Sequence, residues 1–399
     1  MSDPAIPQIG ITARAVTRLR EGHVWVYASD VTSDGGAQPG DLVHVFGPRK
    51  QVLGSALYSS SSQIKIRMLV REQLKSEEEL LRLVRDRLAL AVAYRKIVVK
   101  DSDACRLVFS EADLLPGLIA DQYNDIVTFQ VLTQAWDRPE RRQAIVSGLQ
   151  ELTGVGHIAE RTDGRIRDLE QLPPLAAGML HGGKSATVVT MNGVRFHYDA
   201  LSGQKTGAFL DQRENYAAAA AYAHGTALDV CTYQGGFALH LARTCERVMA
   251  LDISREALEI AEQNEKLNAA ANKNEIEWIE ANAFDLLKDY ATAGRRYDAI
   301  VLDPPAFART KRNLPAAVRG YKELNLRALQ MLRPGGILVT CSCSFHVGEA
   351  DLLQLLTAAA QDAHRAVRVL EMRAQAKDHP ILLGVPETHY LKCVICSIG

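Results

Sequence analysis

The sequence predicts an α/β protein whose C-terminal half is a doubly wound parallel sheet, preceded by a β-rich domain and a small α+β domain. Three observations carry that reading. From about residue 191 onward, strand-like and helix-like segments alternate at regular spacing, the pattern of right-handed βαβ units. Residues 1–72 hold short β-type runs separated by Gly, Pro and Ser clusters, which suggests a small barrel or sandwich. Residues 101–190 mix strand and amphipathic-helix patterns. A length of 399 residues suits two or three such domains.

Composition narrows the function classes. The chain is 47% hydrophobic and 23% charged, ordinary for a soluble globular protein and incompatible with bulk disorder. Its formal net charge of −1 excludes a uniformly basic nucleic-acid wrapper but not a local basic face. Residues 1–100 carry 15 Lys and Arg against 10 Asp and Glu, a net of +5, and the remainder nets −6. The N-terminal quarter is therefore the electropositive part. No run of 18 apolar residues occurs, so no membrane span is expected. Residues 1–10 lack a basic region followed by an apolar core, so no signal peptide is expected. The 7 cysteines form no small disulfide framework, which suggests reduced thiols and a cytoplasmic protein.

Taken in order, strands are expected at 23–27, 42–46 and 63–70, followed by a helix at 76–99. Ser76 suits the N-cap, and Glu77, Glu78 and Glu79 sit at the positive end of the helix dipole. Arg82, Arg85, Arg87, Arg95 and Lys96 follow, either as a solvated face or as a surface for nucleic acid. A strand at 126–132 and a helix at 138–152 fall in the middle region, and LLPGLIAD (114–121) places a Pro-Gly turn between apolar runs. The later strands are read at 227–231, 247–252, 275–279, 299–303 and 336–343. The helices that follow them are read from Gly235 and at 254–268, 284–290, 319–332 and 348–360.

Ligands of doubly wound sheets lie beyond the carboxyl ends of the strands. DVCTYQGG (229–236) joins a strand end, a turn and a helix start, where small residues admit close backbone approach. It lacks both the dinucleotide and the P-loop fingerprints, and a ligand-free tight turn is its alternative reading. Asp252 ends the next strand, where a carboxylate can accept both hydroxyls of a ribose or cap the following helix. Asn282 and Ala283 follow the third strand, where a ring system could lie. Asp303-Pro304-Pro305 stiffens the exit of the fourth strand. Cys341 and Cys343 end the fifth, two apart and so on one face. Inert packing is the alternative for either thiol alone. Cys393 and Cys396 lie in an apolar terminal strand without a second Cys pair or a His cluster, so packing is expected there and no metal site.

These parts together resemble the large-subunit rRNA cytosine-C5 methyltransferase I family over nearly the whole length. GHVWVY (22–27) resembles the start of its N-terminal PUA domain, and LLPGLIADQY (114–123) its central domain. GQKTGAFLDQREN (203–215), DVCTYQGGFALHLA (229–242), LDISREAL (251–258), LDPPAFART (302–310), RGYKELNLRAL (319–329) and SCS (342–344) resemble its catalytic domain. There are departures. Asn282 stands where the family usually has an acidic residue, Ala306 where it has Lys, and Phe345-His346 where it has Gly-Leu.

The resemblance implies a PUA-like domain at 1–72, a basic linker helix at 73–100 and an α+β domain at 101–190. It implies a class I (Rossmann-like) methyltransferase domain at 191–399. It implies S-adenosylmethionine as cofactor, with FLDQR (209–213) as a lid strand over it and Arg213 on the methionine carboxylate. Phe209, Gln212, Asp229, Tyr233, Gly235, Asp252, Ile253, Asn282, Ala283 and Asp303 would complete that site. Cys343 would be the nucleophile on cytosine C6, since Ala306 leaves no thiol after D-P-P; Asp303, Pro304 and Pro305 would contact the base. The implied partner is 23S rRNA, held by the PUA-like domain and the basic helix, with no membrane and no metal; a homodimer is compatible with it. Trp25, Tyr27 and Tyr58 are either stacking platforms or core. The alternatives are a guanine-N7 or other base methyltransferase, which would not need Cys343, and a catalytically idle RNA-binding factor.

Overall fold

Alternating apolar runs near the N-terminus close into a six-stranded sheet, ordered Trp25–Tyr27, Ile64–Val70, Gln51–Tyr58, Leu42–Gly47, Gln8–Ile11, Val31–Ser33. Only the pairing of Gln8–Ile11 with Leu42–Gly47 is parallel. Ile9, Val26, Val43, Val45 and Ile66 fill its interior at 0% exposure. The computed structural model describes residues 5–201, 209–272, 274–308 and 311–399. Positions 203–208 of the GQKTG-containing motif and 309–310 of the D-P-P motif lie outside them.

The chain separates into two units. The first runs to Val189, with 198–201 and Lys377–Thr388 returning to it. It holds the β-rich sheet and a second sheet ordered Gly178–His181, His157–Glu160, Ile126–Val131, Leu118–Tyr123, Ala104–Phe109. Helices Glu77–Val98 and Pro139–Thr153 supply Leu80, Val84, Leu88, Ile145 and Leu149 to one core with Phe129 and Trp136. Ser76 caps the first helix by accepting from the Glu79 amide, as its sequence predicts.

The basic residues of that helix divide. Arg82, Arg85 and Lys96 are exposed. Arg87 and Arg95 are buried, which corrects the expectation of one basic face. Arg87 donates to the carbonyl of Leu69 at 2.7 Å. Arg95 donates to Asp113 at 2.7 Å and to the carbonyl of Asp378 at 2.7 Å. Their five fixed donors satisfy buried acceptors, so these two arginines hold the unit together. Tyr58 is core, Trp25 donates to Glu111 at 2.9 Å, and Arg18 stacks over the Tyr27 ring at 4.8 Å.

The second unit comprises Thr190–His197, residues from 209 to Ala376, and His389–Gly399. Its strands are β1 (Thr226–Val230), β2 (Arg247–Asp252), β3 (Ile276–Glu280), β4 (Tyr297–Leu302), β5 (Leu332–Ser342), β6 (Val367–Arg373) and β7 (Lys392–Ile398). They form one sheet in the order β3-β2-β1-β4-β5-β7-β6. The first five are parallel; β7 runs antiparallel to β5 and to β6. The helices are α1 (Arg213–Tyr222), α2 (Gly236–Leu241), α3 (Arg255–Asn268), α4 (Ala283–Thr292), α5 (Leu314–Met331) and α6 (Glu349–Asp362). Leu228, Val230, Leu251, Ile300 and Leu302 from the strands pack with Leu324, Leu329, Leu352 and Leu356 from α5 and α6. The order reverses between β1 and β4, and the carboxyl ends of these strands open onto the switch point where such folds bind ligands.

Candidate active site

The turn after β1 is built from backbone conformations that most side chains avoid. Cys231, Tyr233 and Gly235 take φ of +65°, +52° and +87°. A Cβ at Gly235 would stand 2.9 Å from the Trp278 ring, and one at Gly236 would stand 2.5 Å from Tyr216. Glycine is needed at 235 for its left-handed φ and at 236 for close approach. Asp229 anchors the turn: one carboxylate oxygen accepts from the Thr232 hydroxyl at 2.5 Å and the Ala238 amide at 2.9 Å. Its other oxygen is buried without a partner among the described residues. Burial, with the Asp252 charge adding to it, raises the Asp229 pKa to about 7.

Asp252 closes β2. One oxygen accepts from the Tyr233 amide at 2.9 Å and the other from Ser254 at 2.9 Å. The helix cap is Ser254, which accepts from Ala257, so the capping alternative for Asp252 does not hold. Each Asp252 oxygen retains acceptor capacity. Ile253, beside it, is 69% exposed. Asn282 caps α4 through its oxygen, accepting from the Phe284 amide at 2.9 Å, and only its NH2 remains to face a base. Ala283 is half-buried.

Residues 210–213 are not the expected lid strand. Leu210–Gln212 form a 3-10 turn and Arg213 begins α1. The Phe209 ring meets the Tyr233 ring edge-on at 5.0 Å. Arg213 is buried, and its guanidinium lies 3.8 Å from the Glu214 carboxylate. The turn carries Gln212 inward, where its amide nitrogen donates to Asp303 at 3.0 Å. A relay fixes that amide: Arg373 donates to Asn215 at 2.9 Å, and Asn215 donates to the Gln212 oxygen at 2.7 Å. With its oxygen taken, Gln212 can only present NH2 to Asp303. Asn215 closes the GQKTGAFLDQREN motif, whereas Arg373 has no signal of its own in the sequence, because it acts through Asn215 and Gln212.

Asp303 follows β4, and its amide donates to the Val230 carbonyl at 3.2 Å. The residue keeps some open surface while its carboxyl is crowded by protein atoms. Burial, then the charges of Asp211 and Asp229, push its pKa up to about 8. Pro304 is buried and Pro305 exposed. Leu302 pairs with Thr340, so Asp303 stands level with Cys341, two residues before Cys343.

The serines of the SCS motif explain how Cys343 is presented. Ser342 and Ser344 are buried while Cys343 is half-buried. The Ser344 hydroxyl accepts from the Ala308 amide at 3.2 Å and is paired with the Tyr321 hydroxyl at 2.9 Å. Tyr321 belongs to the RGYKE motif on α5, so that motif pins the strand exit. Cys341 is fully buried and in register with Cys393 on β7. Among the described residues no group of three or more His, Cys, Asp or Glu is arranged for a metal.

A family model for S-adenosylmethionine-dependent methyltransferases matches residues 111–383, and one for a PUA-like domain matches 9–71. The ribosomal RNA large subunit methyltransferase I of Alteromonas mediterranea is 35% identical over 385 residues, covering 95% of this chain and 96% of the relative. The chain belongs to that methyltransferase family. The Klebsiella pneumoniae member is 34% identical over 406 residues and 100% of both chains, and the Shewanella amazonensis member 37% identical over 389 residues, 95% of this chain and 96% of that one. A solved methyltransferase chain complexed with SAH superposes with a TM-score of 0.82 at 17% identity, over 98% of this chain and 100% of that one. It supports the fold. The family's cofactor carries positive charge on its sulfonium and its ammonium; the strand ends present Asp229, Asp252 and Asp303, and the Leu210–Gln212 turn carries Asp211. The Asp229 oxygen that has no partner among the described residues, and the close approach allowed by the glycines at 235–236, fit such a cation.

Proposed function

We propose that the protein methylates C5 of a cytosine in 23S rRNA through a covalent bond between Cys343 and C6 of the base. The observation that carries the reading is the half-buried Cys343, held at the exit of β5 by the buried Ser342 and Ser344 and two residues past the level of Asp303. Cytosine C5 is a poor nucleophile, and addition of a thiolate at C6 pushes electron density onto it. When bound, S-adenosylmethionine supplies an electrophilic methyl group for the C5 carbon that Cys343 has activated.

The residues then have assignable work. Asp229, Tyr233 and Gly235 hold the methionine part together with Arg213, Asp252 with Ile253 the ribose, and Asn282, Ala283 and Phe209 the adenine region. Asp303, whose raised pKa leaves it protonated at neutral pH, donates to cytosine N3 as Sγ–C6 forms, while the Pro304 carbonyl accepts from N4 and Pro305 borders the base. Gln212 keeps the Asp303 carboxyl aimed. The C5 proton passes to water at Asp303, the C5–C6 double bond re-forms and the Cys343 thiolate leaves. The target base must leave its stack to enter. The PUA-like domain, with exposed Arg14 and Arg20, holds surrounding RNA through phosphate and shape. An rRNA substrate places the protein in the cytoplasm.

Mass mapping of 23S rRNA from cells lacking the protein tests the reading. One cytidine should lose 14 Da and regain it on complementation, with the label at C5. Loss of a methyl from guanine instead would overturn it.

A further inference from the structure

Lys392 is buried at 4% exposure, and a buried lysine needs a reason. It is the first residue of β7, in register with Ser342 across the antiparallel pair. Its Nζ donates to the carbonyl of Ser344 at 2.7 Å and to that of Tyr390 at 2.9 Å. The nitrogen therefore sits against the backbone of the residue that follows Cys343. Two carbonyls take two of its N–H bonds. The remaining tetrahedral position holds either a proton or a lone pair. Around it, the Tyr321 hydroxyl of α5 pairs with Ser344, the Asp351 charge of α6 acts on the amine, and Tyr390 leads to Asp211 through a 2.6 Å hydrogen bond.

We infer that Lys392 is the proton partner of Cys343, positioning and ionising the thiol through one shared proton. The inference rests on the reading of Cys343 as nucleophile. In the resting pair the proton lies on Sγ or on Nζ. As Sγ bonds to C6, the S–H electron pair stays on sulfur and the proton moves to Nζ, making an ammonium that the two carbonyls already solvate. When Sγ–C6 breaks, the pair returns to sulfur and the proton goes back from Nζ. No net charge enters or leaves the pocket. Burial draws the Lys392 pKa down to about 8, while the charges of Cys343 and Asp351 act to raise it. An amine in that range can hold either protonation state near neutral pH, the condition for a proton partner.

The test is the pH dependence of Cys343 alkylation by iodoacetamide in the full chain, followed by peptide mass spectrometry. Only thiolate reacts. Lys392→Gln keeps amide N–H donors for the two carbonyls but cannot share the proton, and Lys392→Met removes both. Both variants are assayed at a temperature where circular dichroism shows them folded. The expected result is an alkylation midpoint raised by about one pH unit or more in each, so that reaction at pH 7 is roughly tenfold slower or worse. Lys392→Gln, the less disruptive change, decides the case: a profile superposing on the wild type would leave Lys392 a structural donor and overturn the inference. Methyl transfer by Cys343→Ala would instead overturn the nucleophile assignment on which it rests, so the two failures are distinct.

Discussion

Cofactor binding should depend on pH through Asp229, and the structure sets the size of the effect. The Asp229 carboxyl is fully buried, one oxygen is satisfied and the other has no partner among the described residues. Its pKa of about 7 means that at pH 6 roughly nine in ten molecules carry it protonated. If the cofactor's ammonium pairs with the open oxygen, binding needs the carboxylate, and a proton is released. Affinity should then fall about tenfold, or about 1.4 kcal/mol, between pH 8 and pH 6. The stability sign is opposite in the free protein. A carboxylate whose folded pKa is raised contributes fully below about pH 4 and loses that contribution as pH rises through about 7. Asp229→Asn should weaken binding at pH 8 by about 1.5–3 kcal/mol, the range for a charged hydrogen bond, and flatten the pH dependence. Titration calorimetry in two buffers of different ionisation enthalpy measures both affinity and proton release. A wild-type affinity independent of pH, with no proton released, would refute the pairing.

Asp252→Ala should weaken cofactor affinity by about 1–3 kcal/mol, read by the same calorimetry; unchanged affinity would leave Asp252 as a brace for the Tyr233 turn alone. Arg95→Ala strands the largely buried Asp113 and the Asp378 carbonyl, and should cost about 3–5 kcal/mol in urea unfolding. Cys341→Ala should retain methyl transfer and lose about 1–2 kcal/mol of stability, because its side chain is packed beneath the site rather than at its mouth.

The parts of the fold that were legible are those whose signal is local. All five parallel strands of the second unit lie within a few residues of where their apolar runs place them, and Ser76 and Ser254 cap the helices they precede. The positions of Asp229, Asp252, Asp303 and Cys343 were legible because each lies at or just past the carboxyl end of a strand. What escaped is non-local. Gln51–Tyr58 and Gln8–Ile11 are strands only through their neighbours in the six-stranded sheet. Nothing in residues 209–213 distinguishes an extended lid from a 3-10 turn; Asp303, about ninety positions away, takes up the Gln212 amide. Arg87 and Arg95 share a helix with Arg82 and Arg85 and differ from them only in what packs against that face. Lys392 stands opposite Ser342 through the β5–β7 register and reaches the Ser344 carbonyl, which no local pattern encodes. The raised pKa values of Asp229 and Asp303 likewise arise from burial and from carboxylates that meet only in the fold.

The covalent step is tested most directly with 23S rRNA carrying 5-fluorocytosine at the target. Fluorine cannot leave C5 as a proton, so the thioether between enzyme and base persists. Wild-type protein with S-adenosylmethionine should yield a denaturation-resistant RNA adduct whose modified peptide contains Cys343, and Cys343→Ala should yield none while still binding cofactor. Sustained methylation by Cys343→Ala, or an adduct mapped to a different cysteine, would contradict the assignment.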